Sequence, residues 1–181
     1  MTIWLFSLLL LILLLPAVVT DLADRRIPNA WVFPFWLIAP LAHLASGGVA
    51  ALLDSLAALA MALGVGIAFW LPRWMGAGDA KLVAATGAIL GTTLVWPFLG
   101  AVGLCGLVLA LGALVWRGLL GRSLRRYWYS FSATLLSKEM TYFRPDQEEQ
   151  AVRLPYAVAI AAGAAVIWLG YLNVIPRPLW G

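Results

Sequence analysis

Two aspartates in an otherwise oily chain have the residue type and the placement for acid–base chemistry. Asp21 ends the first apolar segment, and Asp79 closes the tetrad Gly76-Ala77-Gly78-Asp79 at the start of the fourth. A pair of carboxylates hydrolyses a peptide bond when one is ionised and activates water while the other keeps a proton for the carbonyl oxygen. Closeness itself creates that division, because two like charges at one site cannot both ionise cheaply. The pair then titrates as a unit, and residue types alone do not say which member is the acid. Gly76 and Gly78 are expected to free the backbone around Asp79 for a tight turn and for close approach of another chain. Plainer roles compete. Asp79 suits a helix N-cap, Asp21 a solvated loop charge paired with Arg25, and Asn29 the cap of the second helix. Taken alone, Gly-x-Gly-Asp is a weak signal.

The elements that must hold these acids are membrane helices. The 181 residues are 64% hydrophobic and 11% charged, with ten tryptophans and a mean hydropathy of +0.95. That is more apolar surface than a water-soluble domain of this size can hide. In such a chain, ionisable groups at a membrane border are functional candidates by default. The single Cys105 lies in an apolar run, which excludes an internal disulfide or a cysteine zinc site. His43 stands alone in the second span with no Cys, His or carboxylate at ligand spacing, so neither metal nor cofactor is expected. A nucleophilic Ser46–His43 pair lacks any supporting motif.

Six spans are predicted, at about 2–20, 30–45, 49–71, 80–96, 97–116 and 155–174, in one membrane-embedded domain covering 1–181. The second and fourth are short for a crossing. The first lacks a basic leader region and a small-x-small cleavage pattern, and exceeds a signal core in length, so it reads as a retained helix. Asp54, near the start of the third, is expected to cap that helix. Gly87 and Gly91 have the spacing of close helix packing. The polar connections between spans are expected near Ser46 to Gly48 and Gly91 to Thr93.

The net charge of +4 reflects orientation and not nucleic-acid binding. Eleven of the twelve basic residues, from Arg25 and Arg26 through Arg73 and Lys81 to Arg153, fall in alternate connections; Arg177 alone falls on the other side. By the positive-inside rule both termini are extracytoplasmic, and Asp21, Asp24 and Asp79 face the cytoplasmic boundary. Residues 117–154 form the large cytoplasmic connection. Within it Leu120, Leu124, Tyr127, Trp128, Phe131 and Leu135 recur at helical spacing against Arg122, Arg125 and Arg126, which predicts an amphipathic helix in the headgroup layer, anchored to anionic lipid. Lys81 is expected to snorkel, or to neutralise a substrate carboxylate or a phospholipid. Glu139, Glu148 and Glu149 are available to attract a basic peptide.

With those residues in view, Asp21-Leu22-Ala23-Asp24-Arg25-Arg26-Ile27-Pro28-Asn29 and Gly76-Ala77-Gly78-Asp79-Ala80-Lys81-Leu82 resemble the prepilin peptidase (type IV leader peptidase) family of Gly-x-Gly-Asp membrane proteases. Leu154-Pro155-Tyr156-Ala157 resembles the segment that opens the final helix in small members. The resemblance implies an all-α polytopic protein of the bacterial inner membrane that cleaves the basic leader from type IV pilin-like precursors at the cytoplasmic face. It makes Asp21 and Asp79 catalytic, with Asp24 the fallback for the first position, and Gly76, Gly78, Pro28, Asn29 and Lys81 supporting. Longer relatives carry a further cytoplasmic domain with paired cysteines linked to N-methylation, and methyltransferase activity is not expected here. The short form looks most like the peptidases of tight-adherence pili. Two other classes stay open: a proton- or cation-coupled transporter, and a non-catalytic assembly scaffold.

Overall fold

A computed structural model of the chain describes residues 2–118 and 155–172, with 120, 121, 125 and 128 between them. The chain divides into two compact units, one formed by 1–106 with 155–181 and the other by 107–154. Every element discussed below as part of the site belongs to the first. The expected interfacial helix falls almost wholly outside the described residues, as do Lys138, Glu139, Glu148, Glu149, Arg153 and Arg177.

The described residues are all-helical, with no strand among them. In chain order the helices are α1 (Thr2–Asp24), α2 (Asn29–Val32), α3 (Phe35–Trp70), α4 (Ala77–Leu90), α5 (Thr92–Trp116) and α6 (Tyr156–Tyr171). Three stretches are long and apolar enough to cross a membrane, Ile3–Asp24, Asn29–Trp70 and Thr92–Trp116, and α6 is a shorter apolar helix. Leucine-rich runs favour helix intrinsically, and a helix apolar all round must be clothed by protein or lipid. α1 divides that duty between its faces. Phe6, Leu9, Leu10, Leu13, Leu14 and Ala17 are buried against the other helices, while Leu8, Leu11 and Leu15 stay more than half exposed. A bilayer is the natural cover for such a face.

α4 lies at the centre, packed mainly against α3 and also against α1, α2 and α6. Leu82 through Leu90 are buried without exception. The α3–α4 seam is built from small residues, as close helix approach in a membrane requires. A Cβ added at Gly87 would come within 2.6 Å of the Ala62 Cβ, and one at Gly66 within 3.0 Å of the Ala80 backbone. The Ser55 hydroxyl bridges the same seam by donating to the Ala88 carbonyl at 2.7 Å.

Three helix boundaries differ from the expectation. α1 runs to Asp24, so Asp21 is a helical residue and not the first of a loop; the helix ends where Arg25 turns left-handed at φ 51°. The second span opens as the separate turn α2 and becomes continuous helix from Phe35. The break between α4 and α5 falls at Gly91 (φ 78°), within the connection expected at Gly91 to Thr93, whereas the span boundary expected between 96 and 97 lies inside α5. Pro97 is the sixth residue of that helix; it takes the N–H from the Thr93 carbonyl and crowds it, a cost that membrane helices absorb by local adjustment. The connection expected at Ser46–Gly48 is present as a break within α3, where Gly48 adopts φ 71° and ψ −161°.

Candidate active site

Asp21 is placed by helical arithmetic. It lies one turn beyond Ala17 on the inward face of α1, and only 7% of its surface is exposed. A buried carboxylate needs donors, and one comes from the first turn of α6. The Ala157 N–H donates to Asp21 Oδ2 at 3.0 Å. Pro155 (φ −72°, ψ 90°) is the N-cap residue of that helix and brings no side-chain cap of its own, so Asp21 caps α6 from another element. This replaces the solvated loop charge expected as its plainer role. Asp24, three residues on, is exposed at the end of α1.

Asp79 is the third residue of α4 and not its N-cap, which is Gly76. Its carboxylate folds back to accept the Gly76 N–H on Oδ2 at 3.2 Å. Glycine has no side chain to return the favour, so only half of a capping box forms. Gly76 is extended (φ −70°, ψ 149°), and neither it nor Gly78 has the positive φ that glycine alone adopts readily. What both supply is clearance. A Cβ on Gly76 would lie 2.8 Å from Asp79 Oδ2, and one on Gly78 would meet the Ile27 Cβ at 3.3 Å. Of the two roles expected, backbone freedom is therefore not used and close approach is: Gly76 makes room for the carboxylate, and Gly78 for the segment that leaves α1.

Asp79 is half-buried at the helix mouth, ahead of the apolar run that starts at Ala80. Its pKa is raised to about 6, first by burial and second by the negative charge of Asp21, with the Gly76 N–H pulling the other way. The two acids therefore feel one another across α1 and α4. Tyr156, the first residue of α6, is within electrostatic reach of Asp79, and its ring rests on Gly106, where a Cβ would stand 3.2 Å from the hydroxyl. The first turn of α6 thus attends to both acids, one through a backbone N–H and the other through a side chain.

The sequence profile of the type IV leader peptidase family matches residues 8–111, more than half of the chain. The chain belongs to the type IV leader peptidase family. No curated protein and no solved structure matches it significantly. Membership makes the protein a peptidase of a membrane-embedded family that processes prepilin-type substrates. The matched span contains Asp21 and Asp79 but stops before α6.

In this leader peptidase the other expected residues have structural partners. Lys81 Nζ donates to Asn29 Oδ1 at 3.0 Å and lies 5.0 Å from the centre of the Phe33 ring, so it ties α4 to α2 where snorkelling was expected. Asn29 is the first residue of α2 and receives that bond; Pro28, and not Asn29, is the N-cap residue. At the other end of α4, Asp54 caps α5 and not its own helix. Its Oδ2 accepts the Thr92 N–H at 3.0 Å and its Oδ1 the Thr92 hydroxyl. The Ser46 hydroxyl donates to the His43 carbonyl, not to the ring. His43 Nε2 instead bonds to the Ile89 carbonyl, and the ring packs on Phe6. No group of metal-ligating side chains occurs among the described residues.

The sequence reading assigned Tyr156 and Ala157 no task at the site. A signal for them was present in Pro155. Proline marks the start of a helix, and a helix starting at the border shared by two acids presents unbonded N–H groups to them.

Proposed function

We propose that this peptidase is of the aspartic type, with Asp21 and Asp79 as its catalytic pair, and that it removes the basic leader from type IV pilin-like precursors. One observation carries the reading. Two carboxylates 58 positions apart in sequence lie near enough for one to hinder the ionisation of the other, which is the state needed to hold a general acid beside a general base. The positive-inside count supports six spans with both termini outside and the pair at the cytoplasmic face of the inner membrane. The substrate's apolar stem then lies in the bilayer, with its basic leader at that face.

A proton- or cation-coupled transporter would need polar groups continuing through the bilayer. Among the described residues the buried polar side chains are Asp21, Ser55 and Thr86. Both hydroxyls are spent on helix carbonyls, of Ala88 and Leu82, and no charge follows Asp21 inward. A non-catalytic scaffold gives no reason to lift the proton affinity of Asp79.

The test is cleavage of a purified pilin-like precursor by the purified protein in lipid vesicles. Asp21→Asn and Asp79→Asn are each expected to abolish processing while the protein still inserts and folds. Normal processing by both variants would overturn the assignment.

A further inference from the structure

The strongest unassigned feature is the first turn of α6. It supplies a hydrogen bond to the Asp21 carboxylate, through the Ala157 N–H at 3.0 Å, and it also brings Tyr156 within electrostatic reach of Asp79. Helix N-termini favour negative charge, through unbonded N–H groups and the aligned peptide dipoles. The two acids are therefore unequal. Asp21 faces the positive end of a sixteen-residue helix reaching in from elsewhere in the chain and takes its N–H at 3.0 Å, whereas Asp79 stands in the first turn of its own helix and takes the Gly76 N–H at the longer distance of 3.2 Å.

We propose that the first turn of α6 is a positioning element of the reaction: the Ala157 N–H keeps the negative charge on Asp21 and leaves the shared proton on Asp79, which fixes Asp21 as the base and Asp79 as the acid. This inference rests on the aspartic-peptidase reading above. The rise of the Asp79 pKa to about 6 accords with it.

The steps then balance. Asp21 takes a proton from water as the water oxygen bonds to the scissile carbonyl carbon, and Asp79 gives its proton to the carbonyl oxygen. The product of that step is a neutral gem-diol. As the C–N bond breaks, Asp21 passes its proton to the departing nitrogen and Asp79 recovers one from a diol hydroxyl. A carboxylic acid and an amine leave, and the pair returns to its starting charge.

The titratable groups that bear on this arrangement are few among the described residues. Asp79 and Lys81 come from α4, with Lys81 turned to Asn29. Tyr156 comes from α6, and Asp24, Arg25 and Arg26 stand at or just beyond the end of α1. The bond from the Ala157 N–H to Asp21 Oδ2 is a backbone property, so side-chain changes at 157 leave it in place and the N–H itself must be removed.

The experiment replaces the Ala157 amide with an ester, by incorporating the corresponding α-hydroxy acid in the full-length protein, and measures precursor cleavage against pH. A backbone N–H donor favours the charged form of the carboxylate it bonds, so the acidic limb of the profile is expected to move upward by about one pH unit or more, because the base deprived of its donor holds a proton more tightly, while the alkaline limb, which follows loss of the Asp79 proton, moves less. The value of kcat should fall with KM little changed. The same ester at Val158, whose N–H bonds within α6 to the Pro155 carbonyl, is the control: it weakens the helix but should leave both limbs in place. Ala157→Pro is the second variant, since proline removes the N–H and is tolerated in a first helical turn. An unmoved acidic limb in the 157 variants, or an equal shift in the 158 ester, would sink the proposal. Retained cleavage by Asp21→Asn and Asp79→Asn would sink the peptidase reading instead, so the two failures are distinguishable.

Discussion

The two ends of α4 each bring an aspartate against a glycine, and they treat the acid in opposite ways. At the Gly91 end, Asp54 has both oxygens occupied, one by the Thr92 N–H and one by the Thr92 hydroxyl. At the Gly76 end, about 22 Å away at 1.5 Å per residue, Asp79 has a backbone donor and a second carboxylate for company. The glycines differ to match. Gly91 is left-handed at φ 78°, and a Cβ there would stand 2.6 Å from Asp54 Oδ2; Gly76 is ordinary extended backbone that merely leaves room. A carboxylate fully furnished with donors fastens helices together. One left short of donors and beside its own kind is a store for a proton.

That contrast breaks most visibly in activity. Asp79→Asn is expected to lower cleavage by about a thousandfold or more, in line with the loss of an acid–base group, while Asp54→Asn should leave the rate per folded molecule within about twofold. A comparable loss in both would mean that the two ends are not distinct. Next in size, Gly76→Ala should cost about ten- to a hundredfold in kcat by pushing the Asp79 carboxylate aside, with little change in thermal stability. Gly91→Ala should do the reverse, lowering stability by about 1–3 kcal/mol through its strained φ and its clash with Asp54, without touching the chemistry of the folded fraction.

The smallest effect is in stability, and here substitutions of the two acids act in opposite directions. The folded-state pKa of Asp79 is raised from 3.8 to about 6, so the native state holds a proton there that the unfolded chain gives up. The contribution of that site is complete below pH 4 and is lost as pH rises through 6. Asp79→Asn should therefore unfold at a higher temperature than the wild type above pH 6, with the difference closing below pH 4. Asp54→Ala should unfold lower than the wild type at pH 7, by the worth of a helix cap, about 1 kcal/mol. A wild-type cleavage rate that falls above pH 6 would match the same ionisation.

Membrane character, helical class and the interruption at Gly48 were legible, because hydropathy and glycine placement are local properties of the sequence. That two acids share one border could also be read from the basic residues around them. Their bonding could not. The Asp21–Ala157 bond joins positions 136 residues apart, and the Asp54–Thr92 bond joins positions 38 apart; neither leaves a periodic trace. Pro97 misled because proline is a strong boundary signal in a soluble protein and a weaker one in apolar membrane helices, where Pro16 and Pro40 also lie inside α1 and α3. Lys81 misled differently: a lone cation at a border suggests lipid, and only the fold brings Asn29 and Phe33 to it. The glycines of the Gly-x-Gly-Asp tetrad serve close approach and not backbone freedom, since the space they leave is defined by Asp79 and Ile27 and not by their own dihedral angles.

The brevity of α4 has an effect beyond packing. Its fourteen residues reach about 21 Å, against a hydrocarbon layer of roughly 30 Å. A helix that short is met by local thinning of the bilayer around it. On the proposed reading, precursor cleavage is therefore expected to depend on the acyl-chain length of the host membrane, with thin bilayers fitting this helix at less cost than thick ones.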